Sequence, residues 1–88
     1  MAYNIKYKKS IQRDLKRLDK TEARRILNGI ERELPKHADS TASLKGPFAG
    51  LRKYRIGDYR VIFAILDQDI LILRIAHRKE AYKKPLRP

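Results

Sequence analysis

The residues best suited to chemistry are Lys53, Arg55, Arg60, His77, Arg78 and Tyr82, all in the C-terminal half. Lys53 and Arg55 are two positions apart. In an extended segment such a pair leaves one face while Tyr54 and Ile56 turn to the other. The Gly57-Asp58 pair that follows is a tight-turn signal and brings Arg60 back beside Arg55 or its neighbours. His77 and Arg78 stand at the end of the last apolar run, with Tyr82 four residues beyond Arg78. This set suits phosphodiester cleavage. A 2′-hydroxyl attacking the adjacent phosphate needs a base, cations around the phosphorane-like transition state, and a proton for the leaving 5′-oxygen. Guanidinium groups meet the second need by bidentate contact. A lysine crowded by arginines has its ammonium form destabilised, which opens base chemistry to it. An aromatic ring can stack on an unpaired base. None of these steps requires a metal or another cofactor.

Taken singly, each residue has a plainer reading. Lys53 is an ordinary solvated lysine, and Arg55 and Arg60 are ion-pair partners for Asp58 and Glu80 across a hairpin. Tyr82 caps a core, and His77 is a hydrogen-bonded structural histidine. Arg74, inside an apolar run, snorkels or pairs structurally and is given no chemical role. Clustering favours the chemical reading, although an RNA-binding surface that cuts nothing would carry the same residues.

Charge points the same way. Twenty-two Lys and Arg stand against ten Asp and Glu, a net +12 on 88 residues. Such a field attracts polyanions or an acidic protein partner, and it strains the fold unless a counter-charge arrives. The length suits one domain spanning residues 1–88, with marginal stability of its own. There is no cysteine, so disulfides and thiolate sites are excluded, and His37 and His77 have no acidic cluster beside them to complete a metal site. The N-terminus shows no signal-like apolar core, and the longest apolar stretch, residues 61–66, is far too short to span a bilayer. A cytoplasmic protein without a membrane role is expected.

The elements that must position these residues follow from periodicity. Tyr3, Ile5 and Tyr7 alternate as in a half-buried strand. Ile11, Leu15 and Leu18 then recur at helical spacing behind Ser10, a suitable N-cap. Asp19 and Glu22 resemble a capping box for a second helix, whose apolar face is Ala23, Ile26 or Leu27, Ile30 and Leu34. Pro35 marks its end or the start of a loop. Residues 35–50 read as that loop, and 51–56, 59–66 and 70–76 as strands separated by Gly57-Asp58 and Asp67-Gln68-Asp69 turns. The last two runs are almost continuously apolar, as in strands covered on both faces. Residues 77–84 suit a short helical turn, and 85–88 a frayed tail. The expected class is α+β. A first strand, a helical hairpin and a three-stranded antiparallel meander form one mostly antiparallel sheet, with helices on one face and the other face available for function.

The stretches Leu44-Lys45-Gly46, Gly50-Leu51-Arg52-Lys53-Tyr54-Arg55-Ile56-Gly57-Asp58-Tyr59-Arg60-Val61-Ile62-Phe63 and Ile75-Ala76-His77-Arg78-Lys79-Glu80-Ala81-Tyr82 resemble the RelE family of toxin–antitoxin toxins. The Gly57–Phe63 segment is shared across the wider RelE/ParE superfamily, whereas the His77-Arg78 ending with Tyr82 resembles the RNA-cutting branch. The resemblance implies cleavage of mRNA in the ribosomal A site, leaving a 2′,3′-cyclic phosphate, with 16S rRNA and mRNA as partners and an acidic antitoxin wrapping the toxin. It implies paired basic roles for Lys53 and Arg55, a phosphate contact for Arg60, leaving-group assistance for Arg78, and stacking or activation by Tyr82. The best-studied relatives have lysine where this chain has Arg55. His77 offers a rival base with an ordinary pKa of about 6.5. Lys53 and His77 are therefore both candidates. Gyrase inhibition of the ParE type and non-catalytic RNA binding are the alternative functions.

Overall fold

Alternation at the N-terminus produces β1 (Asn4–Tyr7), the first element of a computed structural model that describes residues 3–83. After it come α1 (Ile11–Lys16) and α2 (Lys20–Asn28). Asp19 caps α2 by accepting the Glu22 N–H at 2.7 Å, while Glu22 pairs with Arg25 rather than closing a reciprocal box. Ser10 occupies the position before α1, but its side chain makes no cap bond.

Pro35 does not end the second helix. The chain passes through a π-helical turn (Gly29–Glu33), in which the Leu34 N–H bonds to the Gly29 carbonyl, and resumes as α3 (Leu34–His37). In a regular helix the proline ring would strike the carbonyl four residues back, and the widened turn gives it room. Ile26, Ile30, Leu34 and Ala38 still fall on one side, and all are buried. Of the alternatives Ile26 and Leu27, Ile26 takes the core position. Gly29 lies so close to the sheet that a Cβ there would sit 2.7 Å from Ile56 Cδ1.

The meander consists of β2 (Arg52–Ile56), β3 (Tyr59–Leu66) and β4 (Asp69–His77). The sheet order is β1-β4-β3-β2, with β1 parallel to β4 and the other pairs antiparallel. The two apolar strands are thus the central ones, as full burial of Val61, Ile62, Phe63 and Ala64 requires. Helical side chains meet Val61, Phe63, Ile70, Ile72 and Ile75 on one face.

The opposite face is less open than the sequence suggests. Phe48, Leu51, Ile62, Ala64, Leu73 and Ala81 form a second buried cluster there. The 3₁₀ turn Gly46–Phe48 and the chain after β4 supply its cover. At the end of that face near the β2–β3 turn Arg55 is exposed and Arg60 half-buried. Among the described residues, no helix is long and apolar enough to cross a membrane. The tail expected at 85–88 lies outside the described residues.

Candidate functional site

Strand geometry assembles the basic cluster. In β2 the burial alternates so that Arg52, Tyr54 and Ile56 turn inward, while Lys53 and Arg55 are exposed. Register places Arg55 opposite Arg60 and Arg60 opposite Ala76; the next row is Lys53, Ile62 and Arg74. Cross-strand partners share a face, so Lys53, Arg55, Arg60 and Arg74 all belong to the face away from the helices. Lys53, Arg55 and Arg60 also line one concavity of about 360 Å³, together with His37, Ser40, Thr41, Ala42 and Tyr54.

The two-residue turn that joins β2 to β3 depends on Gly57, whose φ is +59°, a region in which a side chain is strained. Arg60 folds back toward it. Its Nη1 donates to the Gly57 and Tyr59 carbonyls at 3.4 and 3.2 Å, and among the described residues Nε and Nη2 have no hydrogen-bond partner. The ion pairs expected from Asp58 and Glu80 do not form: among the described residues, Glu80 pairs with Lys83, and neither Arg55 nor Arg60 has a carboxylate within 4.0 Å. Both arginines therefore keep donors for an anion.

Arg78 starts from the same end, since its N–H bonds to the Asp58 carbonyl at 2.8 Å. Its side chain is exposed. Tyr82 packs edge-on against Phe48, with ring centroids 5.7 Å apart, and keeps 38% of its surface exposed. It is both a cap on the second cluster and an accessible ring. Arg74 donates to the Ala81 carbonyl at 2.6 Å and so ties the turn after β4 to the sheet. Burial lowers its pKa, with Asp14 opposing, but a guanidinium stays charged at any physiological pH.

His77 stands apart. Its ring packs edge-on against Tyr59, its Nδ1 accepts the Lys79 N–H at 3.2 Å, and its carbonyl accepts from Glu80 and Ala81. It lines a different and larger concavity, about 600 Å³, with Asp14, Arg17 and Ile75. A bulge between the Ile62 and Phe63 pairings shifts the β4 register, so His77 ends on the helical side with Tyr59. Three turn bonds and an aromatic contact hold it there.

Sequence reading missed His37, Ser40 and Thr41 as neighbours of the basic cluster. It placed them in a loop and weighed His37 only as a metal ligand. The available signal was helical: His37 lies three residues after Leu34 on the continuing apolar period. A loop segment docks on the outer edge of β2, where Lys53 N–H bonds to the Ala42 carbonyl and Ser43 bridges Arg52. Among the described residues, no group of three or more His, Asp or Glu is placed to hold a metal ion.

Known proteins share this architecture. The profile of one family, ParE toxin of type II toxin–antitoxin system, parDE, matches residues 5–82. The candidate toxin RelE1 of Methanocaldococcus jannaschii is 33% identical over 91 residues, covering 97% of this chain and 100% of that protein. A chain of the toxin–antitoxin complex RelBE2 from Mycobacterium tuberculosis superposes with a TM-score of 0.81 at 25% identity, covering 89% of this chain and all of that one (100%). A double mutant of E. coli toxin RelE in the free state gives 0.70 over 92% of this chain and 88% of its own. At 15% identity that is a likeness of fold.

Proposed function

The chain belongs to the RelE/ParE superfamily of toxins from type II toxin–antitoxin systems, and from that membership we propose that it is a metal-independent endoribonuclease. In this reading it cuts mRNA in the ribosomal A site by 2′-hydroxyl attack, inhibits translation, and works in the cytoplasm. The observation that carries the reading is the convergence of Lys53, Arg55 and Arg60 on one concavity, with no carboxylate engaging either arginine among the described residues.

The roles are those that the family resemblance implies, and the placement of the side chains supports them. Arg60, with its free Nε and Nη2, grips the scissile phosphate, and Arg55 opposite it neutralises the charge that grows on the equatorial oxygens. Arg78, leaving the chain beside Asp58, assists the 5′-oxygen. Tyr82 stacks on a base with the part of its ring that Phe48 does not cover. Of the two rivals for the base, Lys53 lines the phosphate concavity and His77 does not. The site is shallow, so 16S rRNA presents the mRNA to it, and naked mRNA is a poor substrate. An acidic antitoxin partner supplies the counter-charge that +12 calls for. The RelBE2 relative is itself a toxin–antitoxin complex.

The match to the ParE family favours a second reading, poisoning of DNA gyrase on the same fold. Primer extension on translated mRNA beside a supercoiling assay separates the two. Codon-phased breaks that need ribosomes support the ribonuclease, and lost supercoiling without breaks supports the gyrase poison. RNA binding with neither effect leaves a non-catalytic module.

A further inference from the structure

We propose that His37 is the general base of this site and that Lys53 acts beside it as an ammonium acid. The proposal rests on the RNA-cleavage reading, adds a residue to it and moves Lys53 from base to acid, leaving Arg78 to steady the charge on the departing 5′-oxygen. Two placements carry it. His37 lines the same concavity as Lys53, Arg55 and Arg60. It also sits on a fixed support. Leu34 and Ala38, three residues before it and one after, are buried in the main core, so exposed His37 stands at the margin of the helix's buried stripe.

The end of that helix is held by many bonds. Ser40 Oγ donates to the His37 carbonyl at 2.9 Å, and Thr41 Oγ1 donates to the Ala38 carbonyl at 2.7 Å. Arg52 Nη1 spans the Ala38, Asp39 and Thr41 carbonyls at 3.5, 3.3 and 3.0 Å. The Ser40 and Thr41 hydroxyls are thereby spent on backbone. The Lys53 N–H bond to the Ala42 carbonyl, 3.3 Å, fastens this segment alongside β2. A base must be held within reach of one proton, and the His37 backbone is held in this way.

Chemistry favours the same assignment. Lys53 and His37 are both exposed, and of the two side-chain types imidazole is the usual proton acceptor near neutral pH. His77 turns to the helical side, and its Nδ1 is occupied by the Lys79 N–H. An imidazole has an ordinary pKa of about 6.5, so at neutral pH much of it is ready to accept a proton. In the step proposed, the 2′-oxygen forms a bond to phosphorus and its proton passes to the His37 imidazole. The bond from phosphorus to the 5′-oxygen breaks, and that oxygen takes a proton from the Lys53 ammonium. The products are a 2′,3′-cyclic phosphate and a free 5′-hydroxyl. Imidazolium and amine then exchange a proton through water, which restores both groups. The charged groups sharing the concavity are Lys53 and Arg55 on β2 and Arg60 on β3. On its own segment Lys36 and Asp39 flank His37, and Asp39 already accepts the Tyr3 hydroxyl at 2.5 Å.

The test is the single-turnover pH–rate profile on ribosomes programmed with mRNA, for wild type, His37→Gln, His77→Gln and His37→Ala with added imidazole. The expected wild-type rate rises with pH through an inflection near neutral pH. His37→Gln should be slower by roughly 100-fold above that pH and lose the inflection, while imidazole restores part of the His37→Ala rate. Antitoxin binding by each variant reports that it is folded. A folded His37→Gln that keeps the rate and the inflection overturns the proposal, as does an inflection lost only in His77→Gln. Failure of the wild type to cut at any pH overturns the RNA-cleavage reading itself, an outcome visible without any variant.

Discussion

Replacing Gly57 by alanine should destabilise the β2–β3 turn in two separable ways. The first is backbone strain: at φ +59° a Cβ crowds the following carbonyl, at roughly 1–2 kcal/mol. The second is a collision, because the new Cβ would lie 2.5 Å from Arg25 Nη2 and 3.3 Å from its Cζ. Arg25 can retreat, being the end of a flexible side chain that is 53% exposed. Retreat gives up its ion pair with Glu22, 3.0 Å long and three residues away on the helix, a pair of about 0.3 kcal/mol. The sum is about 2 kcal/mol, which lowers Tm by roughly 8–16 °C in a domain of this size. Thermal unfolding of wild type, Gly57→Ala, Arg25→Ala and the double variant checks both parts. Removing the guanidinium relieves the collision and leaves the strain, so the glycine substitution should cost nearly as much in the Arg25→Ala background. A cost that vanishes there would refute the strain argument, and an unchanged Tm in Gly57→Ala alone would refute the turn assignment. Because Gly57 and Asp58 also receive bonds from Arg60 and the Arg78 backbone, cleavage should fall along with stability.

Arg60→Ala should slow single-turnover cleavage about 100-fold by removing one donor from the transition state, with unfolding nearly unchanged; an unaltered rate would remove Arg60 from the site. Asp14 Oδ2 accepts the Ile75 N–H at 3.0 Å, on the stretch of β4 beyond its pairing with β1. Asp14→Ala should therefore cost roughly 1–3 kcal/mol in denaturant unfolding and Asp14→Asn less, whereas equal losses would show that the acceptor does not matter. Tyr7 titrates well above its ordinary value of 10.0, first because of burial and then because its hydroxyl donates to Glu31 at 2.9 Å. The folded state then holds this proton more tightly than the unfolded chain, so its contribution is complete below about pH 10 and is lost as pH rises toward the folded pKa. Tyr7→Phe should reduce that alkaline loss, and absorbance titration should show one fewer late-ionising phenol in Tyr7→Phe than in wild type, where Tyr3 is also raised by its bond to Asp39.

Much of the framework was legible in the chain itself. Strand, helix and turn periods are local properties, and the Gly57-Asp58 pair between two strand-like runs is a local hairpin signal. Lys53 and Arg55 share a face because alternation makes them share it, and Arg60 follows from the turn length. The Asp19 cap and the central positions of β3 and β4 were readable in the same way. Pro35 was misleading because a breaker argues against a regular helix and not against a π turn. That turn carries the helix two residues past the proline, to His37.

Sequence alone therefore determined the basic composition of the site, since residue type and two-residue spacing survive any register. Only the tertiary structure decided which histidine lines the concavity of Lys53, Arg55 and Arg60. Strict alternation along β4 would put His77 on the face opposite Ile70 and Ile72, with the cluster. The register shift between the Ile62 and Phe63 pairings reverses that parity and sends His77 to the helical side. Conversely His37, sixteen positions from Lys53 in sequence, reaches the cluster because the helix continues past Pro35 and the following loop pairs with the edge of β2. A bulge and an edge pairing depend on how neighbouring strands pack, a long-range balance that leaves no mark in the local period of either segment.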